Sequence, residues 1–171
     1  YLEKNGCEVT YLDVDENGVV DLEQLKKSIK PTTVLISVMY ANNEIGTIQP
    51  IKEIGQIAKE HGVLFHTDAV QAFGQLPIDV AAENIDMLSA SGHKLNGPKG
   101  IGFLYIKKGL KLRSLIHGGG QESGLRSGTE ATPAIFGFAA ACSAIAPTLK
   151  EDIQKERQLL ESCMEKLSTV R

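Results

Sequence analysis

The chain has 171 residues, is 42% apolar and 23% charged, and carries a formal net charge of −3. That length supports one domain with a core of its own, and the slightly acidic balance gives none of the overall basic character of a nucleic-acid binder. No stretch reaches the roughly 18 apolar residues of a membrane span; the longest, 134–146, is interrupted by Gly137 and Ser143. In chain order, residues 1–6 read as a helix end, so the natural start of the protein is expected upstream. Glu8–Val14 then reads as a strand. Asp21 is placed to cap a short helix with Leu22, Leu25 and Ile29 on one face. Thr33–Met39 is a β-branched apolar run of the kind found in buried parallel sheets.

Pro50 is expected at the first position of a helix lined by Ile51, Ile54, Ile57 and Ala58 and ended by Gly62 beside His61. Val63–Thr67 reads as a second buried strand, and Asp79 as the cap of another short helix. Met87–Ala90 and Gly102–Ile106 read as two further strands. Strands alternating with helices predict an α/β fold, with a mostly parallel central sheet and flanking helices. From the cap Thr132 and first-turn Pro133, the chain reads as one long C-terminal helix kinked at Pro147. A helix of that length with no strand after it looks like a connector. The expected division is therefore 1–131 as part of a large domain and 132–171 as a helix leading toward a smaller one.

The chemistry sits where the strands should end, which is where ligands bind in open α/β sheets. Three stretches stand there: Met39–Gly46, His66–Gln71 and Ser89–Lys94. Taken alone, each is weak; Lys94 by itself would be a solvated surface lysine. Together they meet a specific chemical need. A pyridoxal 5'-phosphate (PLP) enzyme needs an amine for the cofactor's aldehyde and a carboxylate beside its pyridine nitrogen. It also needs donors for its phosphate and ring oxygen. An Asp at one strand end and a Lys after a neighbouring strand can serve opposite sides of one ring.

The sequences MYANNEIGTIQP, HTDAVQAFGQLPIDV, SASGHKLNGPKGIGFLY and HGGGQESGLRSGTEATPAI occur in this order. They resemble cysteine desulfurases of the NifS/IscS type, in the class V aminotransferase group of fold type I PLP enzymes. The resemblance covers essentially the whole chain and implies the large domain of that fold. It implies that Lys94 is the catalytic lysine that holds the cofactor and moves the substrate α-proton, and that Asp68 pairs with the pyridinium nitrogen. By the same resemblance Gln71 donates to the phenolic oxygen, and Ser91 and His93 bind the phosphate. Asn43 stands near the ring oxygen and the substrate carboxylate. Thr129 reaches the phosphate of a neighbouring subunit, which implies a homodimer.

The implied reaction converts L-cysteine to L-alanine and passes sulfur, as a persulfide, to an acceptor protein for iron–sulfur cluster assembly or thiolation. A cytoplasmic location is expected, with no nucleic-acid or membrane partner. Two departures from the family pattern stand at Ser123, usually Arg, and Ala131, usually Asn or another polar residue. The family's upstream phosphate loop and ring-stacking histidine have no counterpart here, nor do its carboxylate-binding arginine and loop cysteine. The expectation is that this stretch alone is catalytically incomplete. A selenocysteine lyase or another class V enzyme is one alternative; a non-catalytic PLP-binding or dimerisation module is another.

The remaining candidates have plainer readings. Cys7, Cys142 and Cys163 are odd in number and lack CxxC spacing. They therefore suit neither a disulfide framework nor a zinc site, and they read as packing or surface residues. His61 reads as a helix-end residue and His66 as structural, with support of the site as its alternative; His117 is open between the dimer interface and neither. Gly118–Gly120 reads as a flexible turn, with a phosphate cradle as its alternative. Neither GxGxxG nor a Walker A pattern is present, which removes the usual nucleotide markers. The basic run from Lys107 to Arg113 reads as a solvated face.

Overall fold

The computed structural model describes residues 1–170. It is an α/β fold with four helices, α1 (Leu22–Ser28), α2 (Ile51–Glu60), α3 (Thr132–Ile145) and α4 (Leu149–Ser168). Its four strands are β1 (Leu35–Met39), β2 (Leu64–Asp68), β3 (Met87–Ser91) and β4 (Gly102–Ile106), in the sheet order β1-β2-β3-β4. The first three run parallel. β4 returns antiparallel: the Gly92 N–H donates to Ile101 O and the Lys107 N–H to Asp86 O, so residue numbers fall along one strand as they rise along the other. The sheet is therefore mostly parallel, with one antiparallel edge.

The chain forms two compact units. The first comprises Tyr1–Gln71, Asp79–Ser89 and Leu104–Lys107; the second comprises Ala72–Ile78, Ala90–Phe103 and the chain from Lys108 onward. In the first unit, α2 packs on β2 because its apolar residues recur at helical spacing; Ile51, Ile54, Ile57 and Ala58 are all buried. Each of the three isoleucines contributes about 1.5–3 kcal/mol on leaving water. Pro50 stands just before the helix rather than in its first turn. Gly62 follows the end in a left-handed conformation, φ +66°. Asp21 caps α1 as expected, accepting from the N–H groups of Glu23 and Gln24. In the second unit Phe73, Phe103 and Phe138 form one aromatic cluster, with ring centroids 5.0, 5.9 and 6.4 Å apart.

Several expectations fail locally. Glu8–Val14 is extended and mostly exposed but pairs with no strand; its one bridge is Val14 with Val20. Asp13 is tied instead to the Gln24 side chain, accepting from Nε2 at 2.8 Å while its own N–H donates to Oε1 at 2.8 Å. Asp79 caps a turn, not a helix: its carboxylate accepts from the N–H groups of Ala81 and Ala82, and Asn84 then turns left-handed at φ +53°. β1 lies at the sheet edge, so only Ile36 of that strand is buried and Val34, just before it, is 76% exposed. Thr132 is the first residue of α3, not its cap; that place falls to Ala131, whose methyl offers no hydrogen bond. The single kinked helix foreseen after residue 132 is interrupted at 146–148, around Pro147, and α3 and α4 meet at 72°. Among the described residues, no single helix is long and apolar enough to cross a membrane.

Candidate active site

In the first unit the C-terminal end of β2 carries the acidic candidate. Asp68 faces Ser89 in the parallel register. Its backbone carbonyl accepts from the Tyr40 N–H at 2.8 Å, and the Ala69 N–H donates to Ser89 O at 2.9 Å. The three strand ends are thus held by main-chain bonds just where the polar loops begin. Asp68 Oδ1 accepts from the Val70 N–H at 3.0 Å, while Oδ2 has no partner among the described residues. The loop after β1 is shaped by Asn42, whose Oδ1 accepts from the N–H groups of Glu44 and Ile45. That turn leaves Asn43 exposed, with its amide unbonded among the described residues. Gln71 is half-buried and likewise free to donate.

His66, two residues before Asp68 on the same strand face, was expected to be structural. It is bound on both ring nitrogens: Nδ1 lies 2.8 Å from Ser37 Oγ of β1, and Nε2 lies 2.9 Å from Ser89 Oγ of β3. Burial pushes its pKa below the ordinary histidine value, and the Asp68 charge partly offsets that.

In the second unit β3 runs directly into a 3-10 turn, Gly92–Leu95, that carries the basic candidate. Leu95 is 2% exposed and plugs the interior, so His93 and Lys94 are left pointing outward. The close packing needs glycine at Gly74, where a Cβ would come 1.9 Å from Leu95 Cδ2. Asn96 ends the turn left-handed at φ +60°, its N–H bonded to Gly92 O. Ser91 Oγ and His93 Nδ1 are 2.7 Å apart, so these two candidates are brought together. Lys94 makes no ion pair among the described residues. Thr129 is exposed in the segment before α3. The chain bends at Gly118–Gly120: Gly118 and Gly120 have positive φ, and the Gly120 N–H donates to the buried Ser127 Oγ. Ser123 is itself left-handed, φ +57°.

Taken unit by unit, the donor sets fit the cofactor read from the sequence. The second unit offers a free amine and a hydroxyl–imidazole pair suited to an anion. The first offers a carboxylate with one oxygen unused and two unbonded amides. The cysteines fit their plain reading: Cys142 lies in α3, where burial pushes its thiol up, and Cys7 and Cys163 are exposed. His61 ends α2 and bonds through Nδ1 to Ile57 O at 2.8 Å, and His117 is exposed. Among the described residues there is no cluster able to hold a metal ion.

Sequence reasoning missed Ser37 and Ser89 as partners of His66, as well as the pairing of Tyr40 with Glu83. The Tyr40 hydroxyl donates to Glu83 Oε1 at 3.0 Å. Both links join residues far apart in the chain, and the signal available was the alternation of Ser37, His66 and Ser89 with apolar neighbours in three successive strands.

The sequence profile of the aminotransferase class-V family matches residues 2–171. A cysteine desulfurase IscS from Clostridium botulinum is 56% identical over 155 residues, which is 91% of this chain and 39% of that protein. Among solved structures, a NifS-like protein superposes with a TM-score of 0.90 at 45% identity, over 98% of this chain and 47% of the other. The structure of SspA in complex with cysteine gives 0.81 at 52% identity, over 83% and 42%. The chain thus spans about two fifths of the length of the curated relatives it matches. The chain belongs to the aminotransferase class-V family, whose cofactor is pyridoxal 5'-phosphate.

Proposed function

We propose that the whole protein is a PLP-dependent cysteine desulfurase. The observation that carries the reading is an exposed Lys94, without an ion pair among the described residues, set by a buried Leu95 on the turn after β3, in a family whose members hold PLP. When bound, the cofactor supplies an electron sink for chemistry at the substrate α-carbon. Lys94 holds it through the ε-amine and takes the proton from the substrate α-carbon. Asp68 accepts the hydrogen bond of the ring nitrogen and keeps that nitrogen protonated. Gln71 donates to the ring's phenolic oxygen, and Ser91 and His93 donate to the phosphate. Asn43 orients the substrate carboxylate. Thr129 donates to the phosphate held by a second subunit, so the working form is a homodimer.

L-cysteine is the proposed substrate, supported by the cysteine bound in the SspA structure. L-alanine is the product, and the sulfur passes as a persulfide to an acceptor protein. None of Cys7, Cys142 and Cys163 takes that sulfur in this reading, because Cys142 and Cys163 are held in α3 and α4 and Cys7 is tied through its N–H to Leu2 O, whereas a sulfur-accepting cysteine must move. The cytoplasm is the proposed compartment. In domain terms, residues 1–131 belong to the PLP-binding large domain and 132–171 lead toward a smaller one.

The test is reduction of the PLP-loaded protein with borohydride, followed by peptide mapping. A pyridoxyl group on Lys94, with alanine formed from L-cysteine by the whole protein, is the expected result. A label on other lysines, or no alanine despite a labelled Lys94, overturns the site or the substrate respectively.

A further inference from the structure

The Ser37–His66–Ser89 chain lies on one face of three adjacent parallel strands. Ser37 is opposite His66 in the β1–β2 register, and Ser89 is opposite Asp68 in the β2–β3 register. Side chains two apart on a strand share a face, so His66 and Asp68 point the same way from β2. The imidazole thus forms a strap across the sheet, with bonds of 2.8 and 2.9 Å, one residue-pair below the end that carries Asp68. Purely structural cross-links do not need an imidazole here. An aliphatic side chain would bury as well in that half-buried place, and both serines could bond to solvent.

We propose that His66 is a positioning residue for Asp68: the strap fixes the C-terminal end of β2, and with it the carboxylate. This rests on the reading of Asp68 as partner of the cofactor's ring nitrogen. A neutral imidazole suits the task. It donates through one nitrogen and accepts through the other, which satisfies both hydroxyls without setting a cation beside Asp68 to compete with the protonated ring. Burial favours that neutral form. Asp68 is the charged group acting on His66, and the register neighbours Ser37, Met87 and Ser89 are uncharged.

The experiment uses the whole PLP-loaded protein with His66→Leu, and with Ser89→Ala as the variant that removes only a hydroxyl. Four quantities are read: borohydride labelling of Lys94, cofactor affinity, the pH midpoint of the bound cofactor's absorption band, and kcat against KM. The expected result is that Lys94 still labels in His66→Leu while cofactor affinity falls about fivefold or more. The absorption midpoint moves by about half a pH unit or more, and kcat falls with KM little changed. Ser89→Ala shifts the same quantities in the same direction by less. If Lys94 labels in both variants, and affinity and midpoint match wild type while only thermal stability drops, His66 is a structural strap and the proposal is overturned. If wild type itself fails to label at Lys94, the reading of the site has failed and takes this proposal with it. Should His66→Leu not fold, Ser89→Ala alone decides.

Discussion

Removing the carboxylate of Asp86 should cost far more than removing the lysine it pairs with. Asp86 precedes β3 and is bonded on every side. Its Oδ2 accepts from the Phe65 N–H at 3.0 Å, its own N–H donates to Phe65 O at 3.0 Å, and its Oδ1 meets Lys107 Nζ at 2.8 Å. The carboxylate is 14% exposed and the lysine 57%. The ion pair is therefore mostly solvated on one side and contributes about 0–1 kcal/mol. The bond from Phe65 is different, because Phe65 is fully buried and its N–H would be left without a partner. That penalty is about 1–3 kcal/mol. Asp86→Ala should thus lose about 1–4 kcal/mol, the sum of both effects. Asp86→Asn keeps an acceptor for Phe65 and should lose less than about 1 kcal/mol, as should Lys107→Ala. Urea unfolding with linear extrapolation measures all three, and added salt should shrink the losses in Lys107→Ala and Asp86→Asn, which remove only the ion pair, while leaving most of the Asp86→Ala loss. Equal losses for Asp86→Ala and Asp86→Asn would refute the argument, since they would show that the Phe65 bond is not what the carboxylate supplies.

Three further outcomes follow from the same unit. Burial raises the Glu83 carboxyl above its ordinary range, with the Tyr40 bond only partly opposing this. An acid whose folded pKa is raised stabilises fully below its unfolded value, and that stability is lost as pH rises through the folded value. Glu83→Gln should therefore gain on wild type between mildly acidic and neutral pH, read as a pH-dependent difference in urea midpoint. Thr67 is fully buried and its Oγ1 has no partner among the described residues, so Thr67→Val should raise stability by about 1 kcal/mol in the same assay. A Cβ on Gly55 would come 1.9 Å from Glu83 O; Gly55→Ala should lose about 1–3 kcal/mol, because backbone rather than a flexible tip stands in the way.

Features written in local pattern were legible in the sequence. The α2 face followed from isoleucines at helical spacing, β2 and β3 from short apolar runs, and the polar candidates from their place at strand ends. What failed depended on partners. Glu8–Val14 has strand-forming residues but no neighbouring strand, so its alternation decided nothing. The antiparallel return of β4 is invisible in an apolar run, which reads the same in either direction. Asn42 and Asn43 are identical in the sequence, yet one closes a turn with its own carbonyl oxygen and only the other is left free to donate. Lys107 reads as one more solvated cation in a basic run until the fold sets Asp86 beside it. The His66 strap needed two serines, each more than twenty residues away, to be recognised.

The exposed edge of β1 bears on how this chain behaves at high concentration. Among the described residues, one side of Leu35–Met39 pairs with β2 and the other with nothing, and Leu35 itself is 42% exposed. A short apolar strand with a free row of N–H and C=O groups is a template for another copy of itself, so aggregation should begin there. A lysine in place of Leu35 would place a charge on that edge while leaving the Ser37 contact to His66 intact. Solubility in the isolated chain should then rise without any change at the ends of β2 and β3.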